Sequence, residues 1–377
     1  MKVLVAPDKF KGSMRASDVA AHVAAGIRAG APGTEVLAVP VADGGDGTLD
    51  AAVAAGFHLV PVTAAGPTGQ PVSTGYARQD RTAVVELADA CGLVRLPGGV
   101  LAPLTASSVG VGQVIAAALD AGCRRLVLAI GGSASTDGGA GMLTALGARI
   151  LDADGQPVPD GGGGLEHVAA VDLTGLHPAL AETDVVLASD VDNPLLGDHG
   201  AAAVYGPQKG ATPDDVARLD GALRVWSGAL ARALGVVAGD GGHPAATVPG
   251  AGAAGGVGFA AVAVLNATAR PGIDLMLELT GFAAHLDGAD LVVTGEGSLD
   301  EQTLHGKAPA GVAAAARAAG VPVVAVAGRN LLSTDQLTAA GVRQAYALTD
   351  IESDVQRCID DPGPLLARLG RRIADSL

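Results

Sequence analysis

The stretch VLASDVDNPLLG, residues 186–197, opens as an apolar strand and closes with Asp190, Asp192 and Asn193 just ahead of Pro194. Side chains alternate along an extended segment, so Asp190 and Asp192 fall on one side. Both carboxylates can then approach one divalent cation or a reacting hydroxyl. The competing use of these residues is an Asx turn before the proline. Lysine placement is a second chemical signal. The chain has only five lysines, and Lys9, Lys11, Lys209 and Lys307 all lie in or beside Gly, Pro or Ser loops. At a net charge of −15, ammonium groups gathered into loops are what an anionic ligand needs, because each acts as a compact point charge on phosphate or carboxylate. The loop GGSAS at 131–135 adds a third signal. Backbone amides at Gly131 and Gly132, with the positive end of the helical stretch that follows, form an anion cradle to which Ser133 and Ser135 add hydroxyls. TGEGS at 294–298 repeats the pattern, with Glu296 between Gly295 and Gly297, placed to orient a metal-bound water or a ribose. A tight connection is the other reading of either loop.

Those loops need strands to hold them. KVLVAPDKFKGS, EVLAVPVADGGDGT, RRLVLAIGGSASTDGG, DVVLASDVDNP, DLVVTGEGSLDEQT and VPVVAVAGRN share one grammar: a β-branched apolar run, a polar Gly-rich loop, then a helical period. Runs apolar at every position imply strands covered on both faces, hence an α/β fold with a parallel sheet between helices. Ser17 is the expected cap of a helix that buries Val19, Val23 and Ile27 and ends near Gly30. Thr212 and Pro213 open another, with Val216, Leu219, Leu223, Leu230 and Leu234 as its buried stripe and Gly235 as its stop. ARILDADGQPVP, residues 148–159, reads as a hairpin about an Asp-Gly turn, which mixes antiparallel pairing into the middle of the chain and argues for a second domain. A length of 377 residues also exceeds what one core usually holds.

Composition narrows the partners. A pI near 4.8 disfavours nucleic acid and anionic membrane, because both carry phosphate charge of the same sign. Cys91, Cys123 and Cys358 stand far apart with no CxxC spacing, which fits a reducing, cytoplasmic setting. The uncharged run from Pro249 is rich in Gly and Ala and is read as part of a soluble fold. The segments 160–164 and 238–256 read as flexible loops. No Walker, zincin or nucleophile-elbow motif is present, and GAGAAG at 250–255 lacks the preceding strand that a dinucleotide fingerprint requires; it is taken as close packing or a mobile loop.

Taken in order, APDKFKGS (6–13), ADGGDGT (42–48), GGSASTDGGAGML (131–143), ASDVDNPL (188–195), GPQKGA (206–211), PGAGAAGG (249–256) and TGEGSLDEQTLHGKAP (294–309) resemble the bacterial glycerate kinases of the glycerate 2-kinase type. Lys9 stands where that family has a serine, and Ser298 where it often has an arginine. The resemblance implies phosphorylation of D-glycerate by ATP with Mg2+, usually to 2-phosphoglycerate, in glyoxylate, glycerate or sugar-acid catabolism. It implies a discontinuous flavodoxin-like parallel-sheet domain, 1–62 plus 288–377, and an inserted mixed-sheet, restriction-enzyme-like α/β domain, 63–287, with the substrate cleft between them. Gly-rich segments around 240–256 would absorb closure. On this reading Asp190 accepts a proton or holds the metal, Asp192 supports Mg2+, and Lys9 and Lys307 are catalytic cations. Asp8, Lys11, Ser13, Asp43, Asp46 and Lys209 bind substrate, while Gly131, Gly132, Ser133, Ser135, Gly295, Glu296 and Gly297 bind nucleotide. No nucleic acid or membrane partner is implied, and a homodimer is left open. Transfer to the 3-hydroxyl, an NAD-dependent hydroxy-acid dehydrogenase, and a non-enzymatic glycerate-binding protein are the alternatives.

Overall fold

A strand apolar at every position is stable only where both faces are covered. KVLVAP at 2–7 meets that condition in the computed structural model, which describes residues 1–236, 242–304 and 307–377. In chain order the strands are β1 (Lys2–Pro7), β2 (Glu35–Ala38), β3 (His58–Ala65), β4 (Pro71–Gln79), β5 (Thr82–Glu86), β6 (Arg125–Ala129), β7 (Arg149–Leu151), β8 (Ala170–Asp172), β9 (Asp184–Ala188), β10 (Thr268–Arg270), β11 (Leu291–Leu299), β12 (Val323–Asn330) and β13 (Gln344–Ala347). The chain divides into two compact units, Met1–Phe57 with Pro271–Leu377, and His58–Arg270. The helices Gly272–Leu279 and Phe282–Leu286 group with the terminal unit.

The terminal unit is one parallel sheet in the order β13-β12-β11-β1-β2. Alternation along β1 sends Val3 and Val5 into the cluster formed by the helices Ala16–Gly30 and Pro362–Ala374, through Val23, Ile27, Leu366 and Leu369. Leu4 and Ala6 face the opposite layer, with Val312 and Ala316 of the helix Ala308–Ala318. Each large aliphatic side chain buried this way contributes about 2 kcal/mol. The two helices of the first layer run so close that a Cβ on Gly26 would lie 2.1 Å from the Ala367 carbonyl oxygen. The first helix starts two residues earlier than its sequence suggests: Arg15 takes the extended cap conformation without a side-chain cap, and Ser17 lies inside the first turn.

The middle unit carries a six-stranded mixed sheet, β10-β9-β6-β5-β4-β3, parallel from β10 to β5 and antiparallel across β4. The hairpin at 148–159 forms, with the Val158 amide donating to the Ile150 carbonyl at 3.1 Å. It belongs, however, to the small β7–β8 pair; antiparallel pairing in the main sheet comes from β3 to β5. The helix Pro213–Leu234 has the expected ends, a Thr212–Asp215 capping box and Gly235 at φ +66°. Leu219, Leu223 and Leu230 are buried while Leu234 is exposed, and Trp226, outside the expected stripe, is fully buried. The Gly-Ala run from Pro249 becomes the short helical segment Ala253–Leu265, whose backbone leaves helical geometry at Ala254, Gly255 and Gly256, with φ of +53°, +68° and +93°. Among the described residues no helix is long and apolar enough to cross a membrane.

Candidate active site

In the terminal unit the direction of chain progression reverses between β1 and β11: β2 lies on one side of β1, while β11, β12 and β13 step away on the other. The space beyond the carboxyl ends of strands at such a reversal is where open parallel sheets bind ligands. Asp8 follows β1, Asp43 and Asp46 follow β2, Glu296 lies near the end of β11, and Lys307 precedes the helix Ala308–Ala318. The Asp8 amide donates to the Gly295 carbonyl at 2.8 Å, and its Oδ1 accepts from the Lys9 amide at 2.7 Å. The side chain is buried, and burial first, then the Asp43 carboxylate, pushes its carboxyl up to about 7 although Lys9 opposes the shift. Lys9 donates to the Asp46 carbonyl and stands 3.4 Å from Asp46 Oδ2. Burial by itself would lower the pKa of Lys9, but Asp8, Asp46 and Asp43 hold it above its usual value. Glu296 is buried too. Its Oε1 accepts from Thr303 Oγ1 at 2.6 Å, and Oε2 lies 3.5 Å from Lys307 Nζ. Burial raises this carboxyl against the pull of Thr303 and Lys307. Lys307 also sits 4.0 Å from Asp300 Oδ1.

Glycine is required at 295, where a Cβ would lie 2.1 Å from the Val326 carbonyl oxygen, whereas at Gly297 the nearest atom, Phe10 Cα, would be 3.4 Å away. Lys11 is exposed. Ser13, expected among the substrate contacts, donates its hydroxyl to the Ile359 carbonyl and so tethers the loop. Ser298 accepts from Arg329 Nε at 3.0 Å, so β12 delivers a guanidinium beside the position where the resemblance led one to expect an arginine. His305 and Gly306, inside the motif 294–309, lie outside the described residues.

In the middle unit the 189–195 segment answers the question raised by its residue types. Asn193 is the brace: its Nδ2 donates to the His199 carbonyl at 2.9 Å, its Oδ1 accepts from Tyr205 Oη at 2.5 Å, and its carbonyl accepts from the Gly252 amide at 2.8 Å. Asp190 and Asp192 are exposed. Burial, then the nearby Asp192 carboxylate, raises the Tyr205 phenol. Among the described residues no three His, Cys, Asp or Glu side chains converge into a ready-made metal cage. Mg2+ instead takes one or two carboxylates together with phosphate oxygens and water, and an exposed aspartate pair is the donor type that suits it.

The 131–141 loop departs from the expected anion cradle. Ser133 and Ser135 are buried, and Lys209, only 2% exposed, reaches inward to Ser133 Oγ at 2.8 Å and the Ser135 carbonyl at 2.5 Å. Burial lowers its ammonium to about 7, against a counter-effect from Asp137. The amides at the start of the helix Ala140–Ala145 are already occupied: Asp137 accepts from Gly139 N at 3.2 Å and Gly141 N at 3.3 Å, and from Ser108 N and Oγ, each at 2.8 Å. The chain's own carboxylate fills the place assigned to a ligand. Gly131 and Gly132, half-buried and exposed, are the part of the loop that a ligand can reach. The GAGAAG segment is close packing: a Cβ on Gly255 would lie 2.1 Å from the Ser135 carbonyl oxygen. Residues 238–241 of the expected flexible stretch lie outside the described residues.

Three residues escaped the sequence reading. Arg329 ends VAVAGRN, a strand-to-loop segment of the shared grammar, and that was its signal. Asp137 follows Thr136 in a loop read for its glycine amides and serines, and Thr303 carried no mark of its bond to Glu296.

A family model described as "Glycerate kinase family" matches residues 3–377. The chain is 40% identical over 380 residues to a glycerate kinase of Bacillus subtilis (strain 168), covering all of this chain and 98% of that protein. It is 41% identical over 333 residues to a glycerate 2-kinase of Escherichia coli (strain K12), covering 87% and 85% of the two chains. A crystal structure from Salmonella typhimurium LT2, described as a candidate glycerate kinase 2, superposes with a TM-score of 0.84 at 40% identity, covering 100% of this chain and 98% of that one. With a parallel sheet in one unit, a mixed sheet in the other and a matching sequence along nearly its whole length, this chain belongs to the glycerate kinase family.

Proposed function

We propose that this chain transfers the terminal phosphoryl group of ATP to the 2-hydroxyl of D-glycerate, giving 2-phospho-D-glycerate and ADP. The observation that carries the reading is the gathering of Lys9, Lys307, Asp8 and Glu296 beyond the ends of β1 and β11. Phosphoryl transfer asks a protein for positioning and for charge stabilisation more than for covalent chemistry. Lys9 and Lys307, with Lys11 two residues beyond Lys9, neutralise the glycerate carboxylate and the transferring group; Asp43 and Asp46 hold Lys9 in place. The backbone around Gly295, Glu296 and Gly297 binds nucleotide phosphates, with Arg329 as a further cation. Ser133, Ser135 and Lys209 act beneath the surface, fixing the 131–135 loop. Asp190 and Asp192 hold Mg2+, which when bound neutralises charge on the phosphoryl oxygens. The location that goes with ATP as donor is the cytoplasm.

The test is to incubate the protein with ATP, Mg2+ and D-glycerate and identify the product by phosphorus NMR. A 2-phosphoglycerate resonance is expected. A 3-phosphoglycerate resonance would overturn the choice of hydroxyl, and no phosphoglycerate at all would overturn the reading.

A further inference from the structure

The proton of the acceptor hydroxyl must go somewhere during transfer, and the sequence offers Asp190 as its destination. On the reading that this chain phosphorylates glycerate, we infer that Asp8, and not Asp190, takes that proton. Asp8 leaves β1 at the reversal point, where the ligand of an open parallel sheet is held. Its orientation is fixed on two sides, by its own amide on the Gly295 carbonyl and by the Lys9 amide on Oδ1. The groups that face it are Lys9 on its own loop, Asp43 from the loop after β2, and Glu296 from β11. Beyond these, Lys307 stands on Glu296 and Asp46 on Lys9. A carboxyl set among ammonium groups suited to an anion lies next to whatever anion they bind. Asp190 is exposed in the other unit, on a loop braced by Asn193, an arrangement suited to a cation that keeps part of its water shell.

The chemistry balances without a further reactant. As the 2-oxygen of glycerate bonds to the γ-phosphorus, its proton passes to the Asp8 carboxylate. The bond from phosphorus to the β,γ-bridging oxygen breaks, and its electron pair leaves with ADP. Asp8 then returns the proton to solvent. A carboxyl near 7 is about half ionised in neutral solution and still basic enough to hold the proton in the transition state, the balance a general base requires.

The experiment measures phosphoglycerate formation from pH 5.5 to 9 in the wild-type protein and in Asp8→Asn, Asp8→Glu and Asp190→Asn. Wild type is expected to lose rate on the acid side with an apparent value near 7. Asp8→Asn should lose about 100-fold or more in kcat and, with it, the acid limb; Asp8→Glu should restore the limb at a reduced rate. Asp190→Asn should keep the limb and require roughly tenfold more Mg2+. An Asp8→Asn protein that retains the acid limb, or an Asp190→Asn protein that loses it, overturns the assignment of Asp8. A wild-type protein that makes no phosphoglycerate overturns the functional reading, and this assignment falls with it. Circular dichroism of the Asp8→Asn protein separates lost catalysis from lost fold, and native spectra with an unchanged kcat also overturn the proposal.

Discussion

Replacing Asp8 by Asn should make the terminal unit more stable, and increasingly so as the pH rises. A carboxyl whose folded-state pKa lies above its unfolded value costs stability: nothing below the unfolded value, a growing amount between the two, and the full amount above the folded one. For Asp8 the window runs from 3.8 to about 7. A gap of roughly three units at 1.36 kcal/mol each sets an upper bound near 4 kcal/mol at alkaline pH, of which about 2–3 kcal/mol develops between pH 5 and pH 8. Asparagine keeps the size and the acceptor for the Lys9 amide but gives up the attraction to the Lys9 ammonium, so the measured gain should fall below the bound. Hydrogen exchange of the β1 and β11 amides, read at pH 5 and pH 8 in both proteins, reports on this unit alone. A stability difference that stays constant with pH, or shrinks as pH rises, would refute the claim that a desolvated carboxylate sits at the end of β1. If it holds, the unit carries a destabilising charge at the place where the chemistry requires one.

Lys209→Ala should weaken the middle unit by about 3 kcal/mol, since it opens a cavity and removes the donor to the buried Ser135 carbonyl; urea melting followed by the fluorescence of Trp226, the single tryptophan, checks this, and an unchanged midpoint counts against it. Gly26→Ala should cost the terminal unit about 2 kcal/mol or more by forcing apart helices whose backbones meet at that residue, and a circular dichroism melt indistinguishable from wild type would contradict the close crossing.

The parallel pairing was readable from residue pattern because a run buried on both faces has no polar position to spare, and the stretches 3–6 of β1, 126–129 of β6, 185–188 of β9, 291–293 of β11 and 323–327 of β12 all obey that rule. The helix ends at Thr212 and Gly235 were readable because capping is local chemistry. Ser17 misled because Arg15 can take the cap conformation with no side-chain bond. The loops were harder for a physical reason: sequence shows which groups a loop carries but not which of them the protein itself consumes. GGSAS and Lys209 have the composition of an anion site, yet the ammonium and the helix amides are taken by Ser133, the Ser135 carbonyl and Asp137. Asp8 ran the other way. It was legible as a polar residue after a strand and, by resemblance, as a substrate contact, but its raised carboxyl depends first on burial and then on Asp43 and Glu296, which come from distant parts of the chain.

That β1 is hydrogen-bonded between β2 and β11 also dictates an order of events at the ribosome. The partner strand begins at Leu291, so at about 5–20 residues per second the segment VLVA waits roughly 15–60 s before its second neighbour exists. The residues from His58 to Arg270 have their own core and can collapse during that interval, while a bare apolar strand stays open to chaperones and to neighbouring nascent chains.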